Sequence, residues 1–210
     1  MSPRHHDDGG GAAAGTTLCP TRRRILLGAL LSLGVGLGAI APTLSAAARE
    51  TAVAPETNPP GDIPDDQVFI VYTAPQGFAI KVPEGWARTD RPDGVSFADK
   101  YDSVDVAVTS GPAPTVASVR AGEAATMEKT GHAVKIGSIK SVTLPSGEAV
   151  RIAYTSNSEP NPVTNRRIRQ ENERTIVGHA GKVATLTMSA PAGADNVDQW
   201  KLMNDSFRWK

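Results

Sequence analysis

The chain has 210 residues, 40% hydrophobic and 21% charged, which suits one domain plus an appendage. Its 22 basic and 22 acidic residues cancel, so no overall field favours nucleic acid or an acidic substrate. Cys19 is the sole cysteine, which excludes an internal disulfide and a cysteine-based zinc site.

Residues 1–15 are rich in Gly and Ala without a periodic apolar pattern, and are expected to be disordered. His5, His6, Asp7 and Asp8 have metal-binding chemistry, but a tail without a supporting shell is a poor holder of metal. Arg22, Arg23 and Arg24 then precede an apolar run to Leu44 and the small residues Ser45, Ala46, Ala47 and Ala48. A positive start, an apolar middle and a small-residue end make a secretory signal, so the domain is expected outside the cytoplasm. The Thr-Arg-Arg-x-Ile-Leu-Leu run from Thr21 resembles a twin-arginine signal, although arginine clusters open many export signals. Both routes stay open. Cleavage is expected near Ala46 or Ala48; left uncleaved, residues 25–44 reach the ~20 apolar residues that anchor a chain in a membrane. Cys19 precedes that run and therefore cannot become the lipid-bearing first residue of a lipoprotein.

Residues 1–48 are thus assigned to the disordered start plus signal or anchor, leaving 18 basic and 20 acidic residues beyond them. Residues 49–66, with Pro55, Pro59, Pro60 and Pro64 among acidic side chains, are expected to form an extended, solvated linker. The domain is expected over 67–210.

Within it, residues 68–73 read as a strand, followed by a second in which Phe78, Ile80 and Val82 alternate with Ala79 and Lys81 until Pro83 stops the ladder. Trp86 is expected to cap the edge of the core. Residues 95–98 and 104–109 make the next strand pair; the Asp99, Asp102 and Asp105 spacing between them lacks the oxygens and central Gly of a calcium loop. Thr115 is a candidate N-cap for a helix with Val116, Val119, Ala124 and Met127 on one stripe and Gly131 at its C′ position. A hairpin over 132–144 and 148–155 places Val150, Ile152 and Tyr154 on one face. A polar loop over 157–164 leads to the hairpin that organises the chain, residues 165–190, turning at Gly178-His179-Ala180-Gly181. Its second arm puts Ala184, Leu186 and Met188 on one face. Its first arm sets Arg167, Arg169, Glu171 and Glu173 outward against Ile168, Gln170, Asn172, Arg174 and Ile176. The chain closes with a helix capped by Asp195, carrying a stripe of Val197, Trp200, Met203 and Phe207 that needs a sheet to lie on.

Two of these segments resemble a known family. Gly77-Phe78-Ala79-Ile80-Lys81-Val82-Pro83-Glu84-Gly85-Trp86 resembles the opening G-F-x-h-x-h-P-x-G-W of PsbP-like domains, h being apolar. The run from Gly181 through Leu186 and Thr187 to Ser189-Ala190-Pro191 is similar to the G-x-h-x-x-L-T-x-S-A-P before the family's last helix, and Ser206-Phe207 to the S-F that ends it. The resemblance implies an α+β fold, an α/β/α sandwich with a central antiparallel sheet. It also implies non-catalytic accessories or binders, among which exported actinobacterial envelope proteins of the LpqN type match best, and it carries over no catalytic residues.

No nucleophile elbow, zinc-protease motif, P-loop or dinucleotide fingerprint is present, and no cofactor is expected. Beyond the export segment only His132 and His179 could act as bases, one beside a turn and one at a hairpin tip; a dispersed Ser-His-Asp assembly stays open. Arg166, Arg167 and Arg169 form the strongest basic cluster, a candidate contact for an anionic partner. Glu171 and Glu173 follow at once, which argues against nucleic acid. Gln170 and Asn172 put two amides on an inward face, where they must find partners, and suit a small polar ligand pocket. The expected function is a non-catalytic, extracytoplasmic binding or accessory protein of the envelope, acting on an unidentified envelope or extracellular protein. A binder of small ligands or lipids is the second class, and a hydrolase the third.

Overall fold

The computed structural model describes residues 50–58 and 61–210; the export segment lies outside the described residues. No helix among them is long and apolar enough to cross a membrane.

Among the described residues ten strands form two sheets. A seven-stranded antiparallel sheet has the order β3 (Ala87–Arg91), β4 (Gly94–Asp99), β5 (Asp102–Ser110), β9 (Lys182–Pro191), β8 (Arg169–His179), β7 (Gly147–Asn157), β6 (Lys135–Leu144). A small sheet joins β1 (Phe69–Ala74), β2 (Phe78–Pro83) and β10 (Arg208–Trp209). The organising hairpin is β8–β9, in register from Gln170 opposite Pro191 to His179 opposite Lys182. Ala180 (φ 47°) and Gly181 (φ 77°) make its turn, which needs two positive φ angles in succession.

Neighbouring residues of one strand enter different cores, so both faces of the large sheet are covered. Val150, Ile152 and Tyr154 of β7 and Ile176 of β8 pack under the first helical segment through Val119, Ala124 and Met127. Ala149 and Val177, one residue away, join Phe78, Ile80, Val82, Leu186 and Phe207 on the other side. That second layer holds the small sheet and α3 (Val197–Ser206), so one outer layer of the sandwich is part sheet, part helix.

The first helical segment is α1 (Val116–Val119), a π-helical turn (Arg120–Ala124) and α2 (Ala125–Thr130). Thr115 and Ser118 cap it reciprocally. Gly131 follows in an extended conformation (φ −83°) rather than the left-handed one expected; the glycine is required because a Cβ would lie 2.5 Å from Val134 Cγ2 and 2.7 Å from the Met127 carbonyl. α3 starts one residue later than expected, at Asn196, whose side chain is engaged elsewhere, and Val197 stands 71% exposed rather than on the buried stripe.

The acidic, proline-containing segment departs from a solvated linker. Residues 50–58 are mostly exposed, yet Val53 N donates to Asn157 Oδ1 (3.0 Å), and Asn157 Nδ2 donates to Glu50 Oε1 (2.7 Å) and the Thr51 carbonyl (2.9 Å). Further along, Ile63 is buried with Val104, Met188 and Met203. Its amide donates to Asn196 Oδ1, and Asn196 Nδ2 donates to the Gly61 carbonyl (2.8 Å). Residues 50–53 and 61–63 therefore form a strap tied at the end of the large sheet where β5 starts and β7 and β9 finish. Within the segment Ile63 is the buried anchor, and Asn157, Asn196, Arg167 and Gln199 of the domain hold it, so its own composition carries little sign of the contact.

Candidate functional site: a cavity beneath the last helix

Between α3 and strands β6 to β8 lies a cavity of about 680 Å³. Val142, Leu144 and Ala153 line its sheet side; Val197, Trp200 and Lys201 line its helix side. The volume falls in the range of small-molecule sites, roughly 300–1,000 Å³, and the apolar walls with a few polar groups fit that class.

The polar groups follow from the pairing of β7 with β8. Arg151 stands opposite Thr175, and Ala153 opposite Glu173, so Arg151, Thr175 and Glu173 face the same side, toward α3. Arg151 Nε lies 3.2 Å from Glu173 Oε1, off hydrogen-bond alignment. Glu173 Oε1 also accepts from Asn204 Nδ2 (2.7 Å). Burial pushes the Glu173 carboxyl up, against the opposing pull of Arg151 and Asn204. Among the described residues, the buried Thr175 hydroxyl and Asn204 Oδ1 have no hydrogen-bond partner. Neither of these two lines the cavity, so at this corner the groups open to a ligand are those of Arg151 and Glu173.

Glu173 and Arg169 do not point to open solvent as the alternation of the strand implies. Arg169 is 8% exposed; its guanidinium donates to the Ala133 carbonyl (2.9 Å), Asn157 Oδ1 (3.2 Å) and Thr155 Oγ1. Arg167 donates to the Ser158 carbonyl (2.6 Å) and lies 3.4 Å from Glu50. Of the three arginines, only Arg166 is broadly exposed, 3.8 Å from Glu56. Gln170 donates to the Tyr101 carbonyl (3.0 Å), and Asn172 to Ser156 Oγ (3.0 Å). Both side chains share the face of Arg174 and Ile176, under the first helical segment, though Asn172 also reaches the cavity lining. The two histidines lie apart from it: His132 contacts Glu50 (2.6 Å) and Glu159 (3.0 Å), and His179 stacks on Trp209. Sequence reasoning missed Arg151 and Asn204, whose places beside Glu173 follow only from strand register and the seat of α3.

No family model matches the chain, and comparison with curated proteins finds no match. Solved structures do match. The solution structure of the cyanobacterial PsbP (CyanoP) of Synechocystis aligns with a TM-score of 0.51 at 15% identity, over 71% of this chain and 98% of that one. The chain has a PsbP-like fold. A crystal structure of LpqN, described as involved in cell envelope biogenesis of Mycobacterium tuberculosis, aligns with a TM-score of 0.40 at 14% identity, over 68% of this chain and 89% of that one. The PsbP-like fold agrees with both sequence segments that resemble the family: Phe78, Ile80 and Val82 are buried in β2, and the Gly181 to Pro191 run spans the β8–β9 turn and β9.

Proposed function

We propose that this protein is a non-catalytic, extracytoplasmic binding protein that holds a small amphipathic molecule in the cavity beneath α3. The observation that carries the reading is the cavity itself, apolar along Val142, Leu144, Ala153 and Trp200 and closed at one corner by the Arg151–Glu173 pair. The export-type segment before residue 49 supports the location. Arg166, 78% exposed at its side chain, remains available to an envelope or extracellular protein partner.

Titration with the neutral fluorophore N-phenylnaphthylamine tests the reading. Saturable, single-site binding is expected, displaced by a long-chain alcohol or fatty acid and lost in Ala153→Phe, which fills the cavity. Arg166→Gln should bind as the parent does. Absence of saturable binding, or binding untouched by Ala153→Phe, would remove the cavity from consideration.

A further inference from the structure

The seven-stranded sheet protects both its edges. β3 carries Arg88, Asp90 and Arg91, and β6 carries Lys135 and Lys140 with a register irregularity at Gly137. Charges and bulges of this kind keep strand edges from pairing with other chains. The small sheet is built differently. Its order leaves β1 outermost, with β2 on one side and no described strand on the other. From Gln67 to Gly77 the sequence has no charged residue, and β1 itself has no proline or glycine. Val68, Ile70 and Val71 are 57%, 46% and 66% exposed.

Register fixes which backbone groups this edge presents. Glu84 N–H donates to the Val68 carbonyl (2.8 Å), so Val68, Ile70, Tyr72 and Ala74 turn their hydrogen bonds toward β2. Phe69, Val71 and Thr73 turn theirs outward, because residues alternate in an antiparallel ladder.

We propose that β1 pairs antiparallel with β1 of a second copy of this chain, about a two-fold axis through Val71. In that register Val71 meets its own copy, Phe69 meets Thr73, and Ile70 meets Tyr72, an aliphatic–aromatic cross-strand pair of a favoured kind. An isologous contact sets every residue against its symmetry mate, so like charges near the axis would forbid it. Along β1 itself the nearest charge, Asp66, falls opposite Gln76, and Lys81, across from Val71 on β2, has both copies of β1 between it and its mate, so no like pair forms. Lack of charge is thus the property that lets this strand accept itself, whereas the edges at β3 and β6 are guarded. The short contact makes the association concentration-dependent.

Sedimentation velocity on the protein as the cell processes it reads the outcome: a monomer–dimer equilibrium is expected. Val71→Pro deletes an outward N–H and leaves the β1–β2 ladder intact, so it should sediment as a folded monomer with an unchanged melting temperature. Val71→Lys and Val71→Glu should each be monomeric alone and form a dimer when mixed, since the two charges meet at the axis. That rescue is particular to self-pairing. A parent that stays monomeric up to millimolar concentration, a Val71→Pro dimer, or monomeric variants that fail to recombine would overturn the proposal. The last result would assign the edge to a different chain or to the protein's own N-terminal segment.

Discussion

Asn196 Oδ1 lies 2.6 Å from the amide nitrogen of Ile63, joining residues 133 apart in sequence. The same side chain donates to the Gly61 carbonyl and to Asp102 Oδ1 (3.2 Å). Asn196→Ala leaves two buried groups and one half-buried carbonyl without their partner, and each buried loss costs about 1–3 kcal/mol. The variant should be less stable by ~3 kcal/mol in urea unfolding, and limited proteolysis should cut first between residues 50 and 63. A proteolytic pattern identical to the parent's would show that the strap is held by other contacts.

Asp102 makes this junction sensitive to pH. Burial, with Asp99 adding repulsion, pushes its carboxyl up to about 7 from the 3.8 of an ordinary aspartate. The folded protein therefore keeps a proton that the unfolded chain gives up. This contribution to stability is complete below pH 4, falls as pH rises through the interval from about 4 to about 7, and is gone above it. Asp102→Asn removes that slope. Measured against the parent, it should gain roughly 2 kcal/mol at pH 8, with the gain shrinking toward pH 4. A constant difference across that range would contradict the assignment.

The arginines around β8 should separate cleanly under mutation. Arg169→Gln strands the Ala133 carbonyl, Thr155 and Asn157, and should cost about 2–4 kcal/mol. Arg166→Gln touches one loose ion pair and should change stability by less than ~0.5 kcal/mol. Thermal unfolding of both single variants makes the comparison. A triple replacement with Arg167 would merge these effects and cannot be neutral, because two of the three side chains hold the strap end and the β7–β8 loop in place.

Trp200 contributes an aromatic wall to the cavity and packs beside Met203 and Val104. Trp200→Ala should weaken N-phenylnaphthylamine binding by about tenfold or more, since removing that much apolar contact is worth roughly 1.5–3 kcal/mol. Leu202→Ala, on the same helix and facing solvent at 38% exposure, should leave the affinity unchanged. Equal losses in the two variants would point to a general loosening of α3.

Much of the fold was legible because half-buried strands announce themselves by a period of two. Phe78, Ile80 and Val82, or Ala184, Leu186 and Met188, occupy the face their spacing implies. β3 was not legible: Ala87 to Arg91 has no apolar repeat and is a strand only because β4 pairs with it from Arg91–Gly94 to Ala87–Ala98. β8 misled in another way. Its alternation gives the phase correctly, and Glu171 is exposed as that phase implies, but α3 and the β7–β8 loop cover its neighbours, so Arg169 is buried and Glu173 half-buried instead of outward. The cavity followed the same pattern. Gln170 and Asn172 point to the right strand, while the polar corner is made by Glu173 on its other face and by Arg151 of β7, with Asn204 of α3 holding Glu173 from behind.

The strap also sets an order of events. Residues 61 to 63 leave the ribosome more than a hundred positions before Asn196, yet their place in the molecule is defined by Asn196, Asp102 and the end of β9. Closing so long a loop carries an entropic cost that grows with the logarithm of its length. The first-made part of the domain thus depends for its seat on residues made near the end of the chain, and the core around Met203 is complete only with the C-terminal helix in place.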